Sequence, residues 1–245
     1  MKGKYVYVLI VLLFIALNIS GGCSGEISLP GNAEENDKEL PNNAENLENA
    51  ETLPALQIDE DSVAEALYER ISTRSFSGEA IDLSDAASLL WAAGGLNIDG
   101  ETGPTRTSPS AGGAYPLDFY LVAGNVEDLA PGIYRYDYLN HDLDLVIGED
   151  RRGQLAEAAL GQSFIAEAPA SIVFVAYFER STGRYGERGE RYVYMDTGYA
   201  SQSVHLLAVE LGLGTVAVGA FDDGEVAAVL ETDGAPLKIM PIGRP

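Results

Sequence analysis

Arginine is the side chain that best matches a phosphate or another oxyanion, because its planar fork donates bidentately and keeps its charge at any accessible pH. Arg70 and Arg74 flank Ser72, and Arg244 lies in the closing Pro-Ile-Gly-Arg-Pro run. A second kind of segment offers backbone instead of charge. Pro109, Ser110, Ala111, Gly112 and Gly113 are small and stiffened at the first residue, so the main chain there can come close to a ligand. Gly219, followed by Ala220, has the same freedom at the end of an apolar run. Arg184 and Tyr185 stand side by side. A guanidinium hardly deprotonates and makes a poor base, whereas the Tyr185 phenol can donate or accept.

The elements that must position these residues follow from periodicity. Val63, Ala64, Leu67 and Ile71 at three-to-four-residue spacing predict a helix over 58–70. A second helix is expected over 86–93, stopped by Gly94 and Gly95, and then a glycine- and proline-rich loop over 96–116. Strands are expected at 118–123, 132–137, 144–147, 170–178, 214–221 and 237–242, with helices at 151–159, 192–211 and 223–230. The stripe Val193, Thr197, Ala200, Val204, Leu207, Ala208 and Leu211 suits either the central helix of one subunit or a subunit interface. Helices and strands are mixed without regular alternation, so the class is α+β.

Other chemistries find no support. One cysteine and the two histidines, His141 and His205, leave too few ligands for a metal site, and none is expected. His141 sits in a polar turn and His205 in a helical run, and both read as structural or surface residues. No Walker-type loop and no Gly-x-Gly-x-x-Gly turn joins a strand to a helix. Ser110 lacks the strand-turn-helix surround of a hydrolase nucleophile. A net charge of -23 and a pI near 4.2 oppose binding to nucleic acid.

At the amino terminus, Lys2 and Lys4 precede an apolar run to Ile19, then small residues and the sole cysteine, Cys23. This is the layout of an export signal over 1–23. It resembles a lipoprotein signal in which Cys23 is lipidated, although Ser20 stands where such signals prefer an aliphatic residue; an uncleaved anchor is the alternative. Residues 24–57 are acidic and aperiodic and read as a disordered tether, leaving 58–245 as a single folded domain. The expected location is extracytoplasmic, at a membrane.

Taken in order, the segments beginning at Arg70, Pro109, Arg184, Asp196, Val218 and Pro241 closely resemble the nitroreductase superfamily, and within it the SagB-type dehydrogenases that include thiazoline and oxazoline oxidases. The resemblance implies an FMN cofactor and a mostly antiparallel sheet flanked by helices in an intertwined homodimer. It implies that Arg70 and Ser72 hold the phosphate and ribityl side, that Arg74 faces N1 and O2 of the ring, and that Arg244 closes on the phosphate. Pro109, Ser110, Ala111 and Gly112 would reach the flavin of the partner subunit, and an amide of Gly219 or Ala220 would face N5. In the azoline oxidases a Lys-Tyr pair removes a proton where this chain has Arg184 and Tyr185, which puts azoline chemistry in doubt. The expected activity is two-electron transfer on a small molecule or a redox partner; the alternative is a flavin-binding lipoprotein without turnover.

Overall fold

Two apolar strands, buried almost throughout, organise the domain. The computed structural model describes residues 63–100 and 103–245; the signal, Cys23, the tether and the start of the first expected helix lie outside them. In chain order the elements are α1 (Val63–Glu69), α2 (Leu83–Gly94), β1 (Leu96–Gly100), β2 (Gly103–Arg106), β3 (Leu117–Ala123), β4 (Gly132–Asp137) and β5 (Asp142–Ile147). Then come α3 (Arg152–Ala158), α4 (Phe164–Glu167), β6 (Ala170–Ala176), α5 (Glu179–Tyr185), α6 (Arg188–Glu210), β7 (Gly214–Thr215), α7 (Asp223–Leu230) and β8 (Ala235–Gly243). Six strands form one sheet in the order β5-β4-β3-β6-β8-β7, every neighbouring pair antiparallel. The expected α+β class with a mostly antiparallel sheet is the fold observed.

The central strands β3 and β6 are covered on both faces, which is why they read as continuous apolar runs. Phe119, Leu121, Ile172, Phe174 and Met240 face α2 and α6, and Phe119 meets Phe174 edge-on at 5.1 Å. Tyr120, Val122, Val173, Val175 and Ile239 face the opposite way, onto Leu155, Ile165, Val226 and Leu230 of α3, α4 and α7. Of the stripe on α6, Val193, Thr197, Ala200, Val204 and Ala208 are buried within the subunit. That helix is therefore the central core helix, and its stripe is no argument for an interface.

Three expectations are corrected. The loop over 96–116 begins with the β1–β2 pair, a separate two-stranded sheet whose base is pinned to α2 by Trp91 Nε1 donating to the Leu96 carbonyl at 2.8 Å and Thr107 N–H donating to that of Gly95 at 3.0 Å. Its glycines and proline hid strands too short to show a period. The strand expected over 214–221 pairs only at Gly214–Thr215 and then at the single bridge Val218–Ile239. The run 170–178 leaves the sheet at Ala176, and Phe178 caps the unforeseen helix α5. Gly189 lets α6 start early and close against α5, since a Cβ there would lie 2.7 Å from the backbone of Ser181 and Thr182.

Candidate functional site

The segment leaving α1 runs along the β7 edge of the sheet. Ser72 bridges Thr215 in parallel, and Thr73 N–H donates to the Thr215 carbonyl at 3.0 Å. Ser77 N–H donates to the carbonyl of Arg244 at 2.9 Å, so the end of β8 joins the same strip. Arg70, Ser72, Arg74 and Arg244 thus lie on segments joined at one edge of the sheet. Among the described residues neither Arg70 nor Arg74 has an acid partner, and Arg244 reaches Asp82 only at 4.0 Å across a largely exposed gap, a contact worth little. The strip is a row of cations with spare donors.

Gly219 and Ala220 follow the Val218–Ile239 bridge and are exposed. A Cβ on Gly219 would meet nothing within 4 Å, so the space beside it is open. The Ala220 carbonyl accepts from Gln162 Nε2 at 2.9 Å, while the amides of both residues lack an acceptor among the described residues. An open face with two spare N–H donors is what a flat heteroaromatic ring with acceptor nitrogens would need.

The second group is built around α5 and the first half of α6. Ser110 donates its hydroxyl to Asp196 Oδ2 at 2.6 Å, the Ala111 amide also donates to that carboxylate, and Tyr115 N–H donates to Ser110 Oγ at 2.9 Å. These bonds fix a 3-10 turn, Ala111–Gly113, in which Gly112 adopts φ +60°. Arg184 Nη1 donates to the Gly112 carbonyl at 2.8 Å, so the guanidinium holds the turn and forms no surface pair with Glu187. A Cβ on Gly112 would strike the Tyr185 hydroxyl, so only glycine lets the turn lie on Arg184 and Tyr185. Tyr185 packs edge-on against Tyr192 at 5.0 Å with its hydroxyl at the turn.

Asp196 is the member that sequence reasoning passed over except as part of a motif. It is buried at 4% exposure on the apolar side of α6, and burial raises its pKa against the lowering effect of Ser110 and Ala111. The signal was available: an acid between Val193 and Ala200, where the helix period calls for an apolar residue, needs a polar partner. Further along α6, His205 is also buried, and burial together with the charges of Arg70 and Lys238 pushes it down to about 4, which keeps it neutral near pH 7. Lys238 donates to Ser201 Oγ at 3.0 Å, and burial lowers its pKa as well. From Asp196 to His205 the helix rises about 13 Å, and among the described residues no hydrogen bond or ion pair joins the turn to the arginine strip. His141 bonds Tyr136 Oη through Nδ1 at 2.7 Å. No group of side chains able to hold a metal occurs among the described residues.

The strip and the turn fit an anionic, flat cofactor of the FMN kind: unpaired guanidiniums for a phosphate, free amides beside open space for a ring, and a glycine turn for close approach. Comparison with known proteins points the same way. MJ1384 of Methanocaldococcus jannaschii, named as a nitroreductase, is 40% identical over 187 residues, covering 76% of this chain and 93% of its own. The microcin B17-processing protein McbC of Escherichia coli is 28% identical over 133 residues, with 52% of this chain and 49% of its own covered. A solved structure of a nitroreductase from Anabaena variabilis superposes with a TM-score of 0.65 at 27% identity, over 75% of this chain; the chain spans only 38% of that larger protein. Residues 67–244, which carry the arginine strip, the glycine turn and the Tyr185 pair in one frame, match the nitroreductase family, and the chain belongs to it.

Proposed function

We propose that this protein is an FMN-dependent oxidoreductase acting as a homodimer, each flavin lying between the arginine strip of one chain and the glycine turn of the other. Members of the family are typically flavin-dependent oxidoreductases that bind FMN. The observation that carries the reading is a row of arginines at the β7 edge of the sheet, of which Arg70 and Arg74 have no acid partner among the described residues, and a glycine turn built separately on Asp196 and Arg184. FMN, when bound, supplies a two-electron carrier that exchanges through N5. Arg70, Arg74 and Arg244 hold its anionic groups, and Ser72 assists on the ribityl side. The amide of Gly219 or Ala220 orients the reacting edge. Arg184 positions the turn formed by Pro109, Ser110, Ala111 and Gly112, and Tyr185 donates or accepts the proton that accompanies the electrons.

Exposed apolar side chains support the dimer. Val63, Leu67, Tyr68 and Ile71, on and just after α1, and Met195 and Tyr199 on α6 stand open to solvent in the single chain. The similarity to McbC supports placing the chain near the SagB-type branch. Arg184 in place of lysine, already bonded to Gly112, speaks against azoline oxidation by a lysine base. The substrate proposed is a small molecule or a redox partner outside the cytoplasm, with the chain held at the membrane through Cys23.

The test is to purify the full-length protein and record its spectrum. A flavin spectrum, FMN released on heating, and reoxidation of the dithionite-reduced protein by quinones or nitroaromatics faster than by dioxygen are expected. A colourless protein that takes up no added FMN refutes the reading; a yellow protein inert to every acceptor leaves a flavin-binding protein without turnover.

A further inference from the structure

Beside the glycine turn lies a groove of about 520 Å³, within the range of small-molecule sites. Three arginines line it, and two are neutralised: Arg135 by Asp144 at 2.9 Å and Arg180 by Asp118 at 2.6 Å. Asp137, also in the lining, is occupied by its own turn, accepting from Leu139 N–H and Asn140 Nδ2, and these bonds hold its pKa low. The third cation, Arg106 at the end of β2, has no acid partner among the described residues.

Arg106 is nevertheless held in place. Its guanidinium carbon lies 3.3 Å from the centroid of the Tyr138 ring and 4.7 Å from that of Tyr115. Tyr115 is itself constrained: its φ is +45°, its hydroxyl accepts from the Arg106 amide at 3.3 Å, and its own amide donates to Ser110 Oγ. A side chain with a Cβ adopts such a φ only when its surroundings enforce it. Stacking occupies the faces of the guanidinium and leaves its N–H groups, which lie in the plane, as donors. Among the described residues no acceptor takes them. A rigid fork without a partner, in an open groove where Arg135 and Arg180 are paired and Asp137 is bonded within its own turn, matches the edge of a carboxylate.

We propose that Arg106 is the carboxylate-recognising residue of a ligand subsite in this groove, and that the subsite takes a small organic acid. Gly113 and Ala114 line the groove, so a ligand held there abuts the turn assigned to the flavin. Carboxylate binding at Arg106 stands without the flavin; only its service as a substrate position rests on the function proposed above.

The experiment is a calorimetric titration of the full-length protein with benzoate, benzamide and inorganic phosphate, with and without bound FMN. Saturable benzoate binding is expected, with no binding of the uncharged benzamide. Arg106→Gln should weaken it about tenfold or more, and Arg106→Lys, which keeps the charge and loses the fork, by less. Thermal melting verifies that each variant is folded, and the lysine variant serves if the glutamine variant is not. Arg106-dependent benzoate binding in a protein that never takes up FMN upholds the subsite while sinking the flavin reading. Phosphate competing as strongly as benzoate overturns the carboxylate assignment. No saturable benzoate binding, or binding unchanged in both variants, overturns the proposal.

Discussion

Replacing Asp196 tests whether the glycine turn is held from behind by a buried carboxylate. The Asp196→Ala variant removes an acceptor that serves the Ser110 hydroxyl at 2.6 Å and the Ala111 amide. Each hydrogen bond to a charged group contributes about 1.5–3 kcal/mol. Two effects reduce the total: the abandoned donors lie in a half-exposed turn that water can reach, and the variant no longer buries a carboxylate. The expected net loss is about 2 kcal/mol, which for a domain of this size lowers the melting temperature by about 4–8 °C. If the same turn contacts the flavin, up to the same free energy appears as weaker FMN binding, about thirtyfold at most. Asp196→Asn keeps the shape and one acceptor and should lose about half as much. Because burial raises the Asp196 pKa, its contribution to stability is largest in acid and declines as pH rises through that raised value, a dependence that asparagine abolishes. Thermal melts across pH, with FMN release followed by fluorescence, read both effects. An Asp196→Ala protein that melts within about 1 °C of wild type and holds FMN equally well would refute the positioning role.

Arg70→Ala and Arg74→Ala should each weaken FMN binding by about 1.5–3 kcal/mol with little change in melting of the FMN-free protein, since neither side chain has an acid partner among the described residues; equal affinity in both variants removes them from the site. His205 is held neutral by burial, down to about 4 against an ordinary 6.5, so stability present above pH 6.5 should be lost as pH falls through that lowered value, by up to about 3 kcal/mol. His205→Gln should flatten the acid limb of the stability profile, and an unchanged limb assigns it to other groups. Cys23→Ser should release the protein from membranes or leave an uncleaved precursor; unchanged retention with an intact amino terminus favours the uncleaved anchor.

What could be read from the sequence depended on whether a signal was local. The apolar runs that became β3 and β6 and the long period of α6 are local patterns, and the core elements were found from them. The β1–β2 pair was missed because its strands are short and interrupted by glycine and proline. α5 was missed because Glu179–Tyr185 carries no apolar period; it is fixed by its packing on α6 through Gly189. In the site, Arg70, Ser72, Arg74 and Arg244 stood out by residue type and resemblance. That Arg184 would bond the Gly112 carbonyl is a contact between residues far apart in sequence, which no spacing reports. Nothing in the sequence singles out Arg106, because the two tyrosines that hold it come from the end of the glycine turn and the end of β4.

The central claim is that each flavin is shared between two chains, and mixed dimers test it most directly. One full-length chain carries Arg70→Ala with Arg74→Ala; the other carries Gly112→Val, which strains the positive φ and drives the turn off Tyr185. Neither homodimer should retain FMN. In the mixed dimer, the intact strip of the second chain meets the intact turn of the first, so the account predicts half of the wild-type FMN content per dimer. Mixed dimers as empty as both parents would show that each site is completed within one chain and would contradict it.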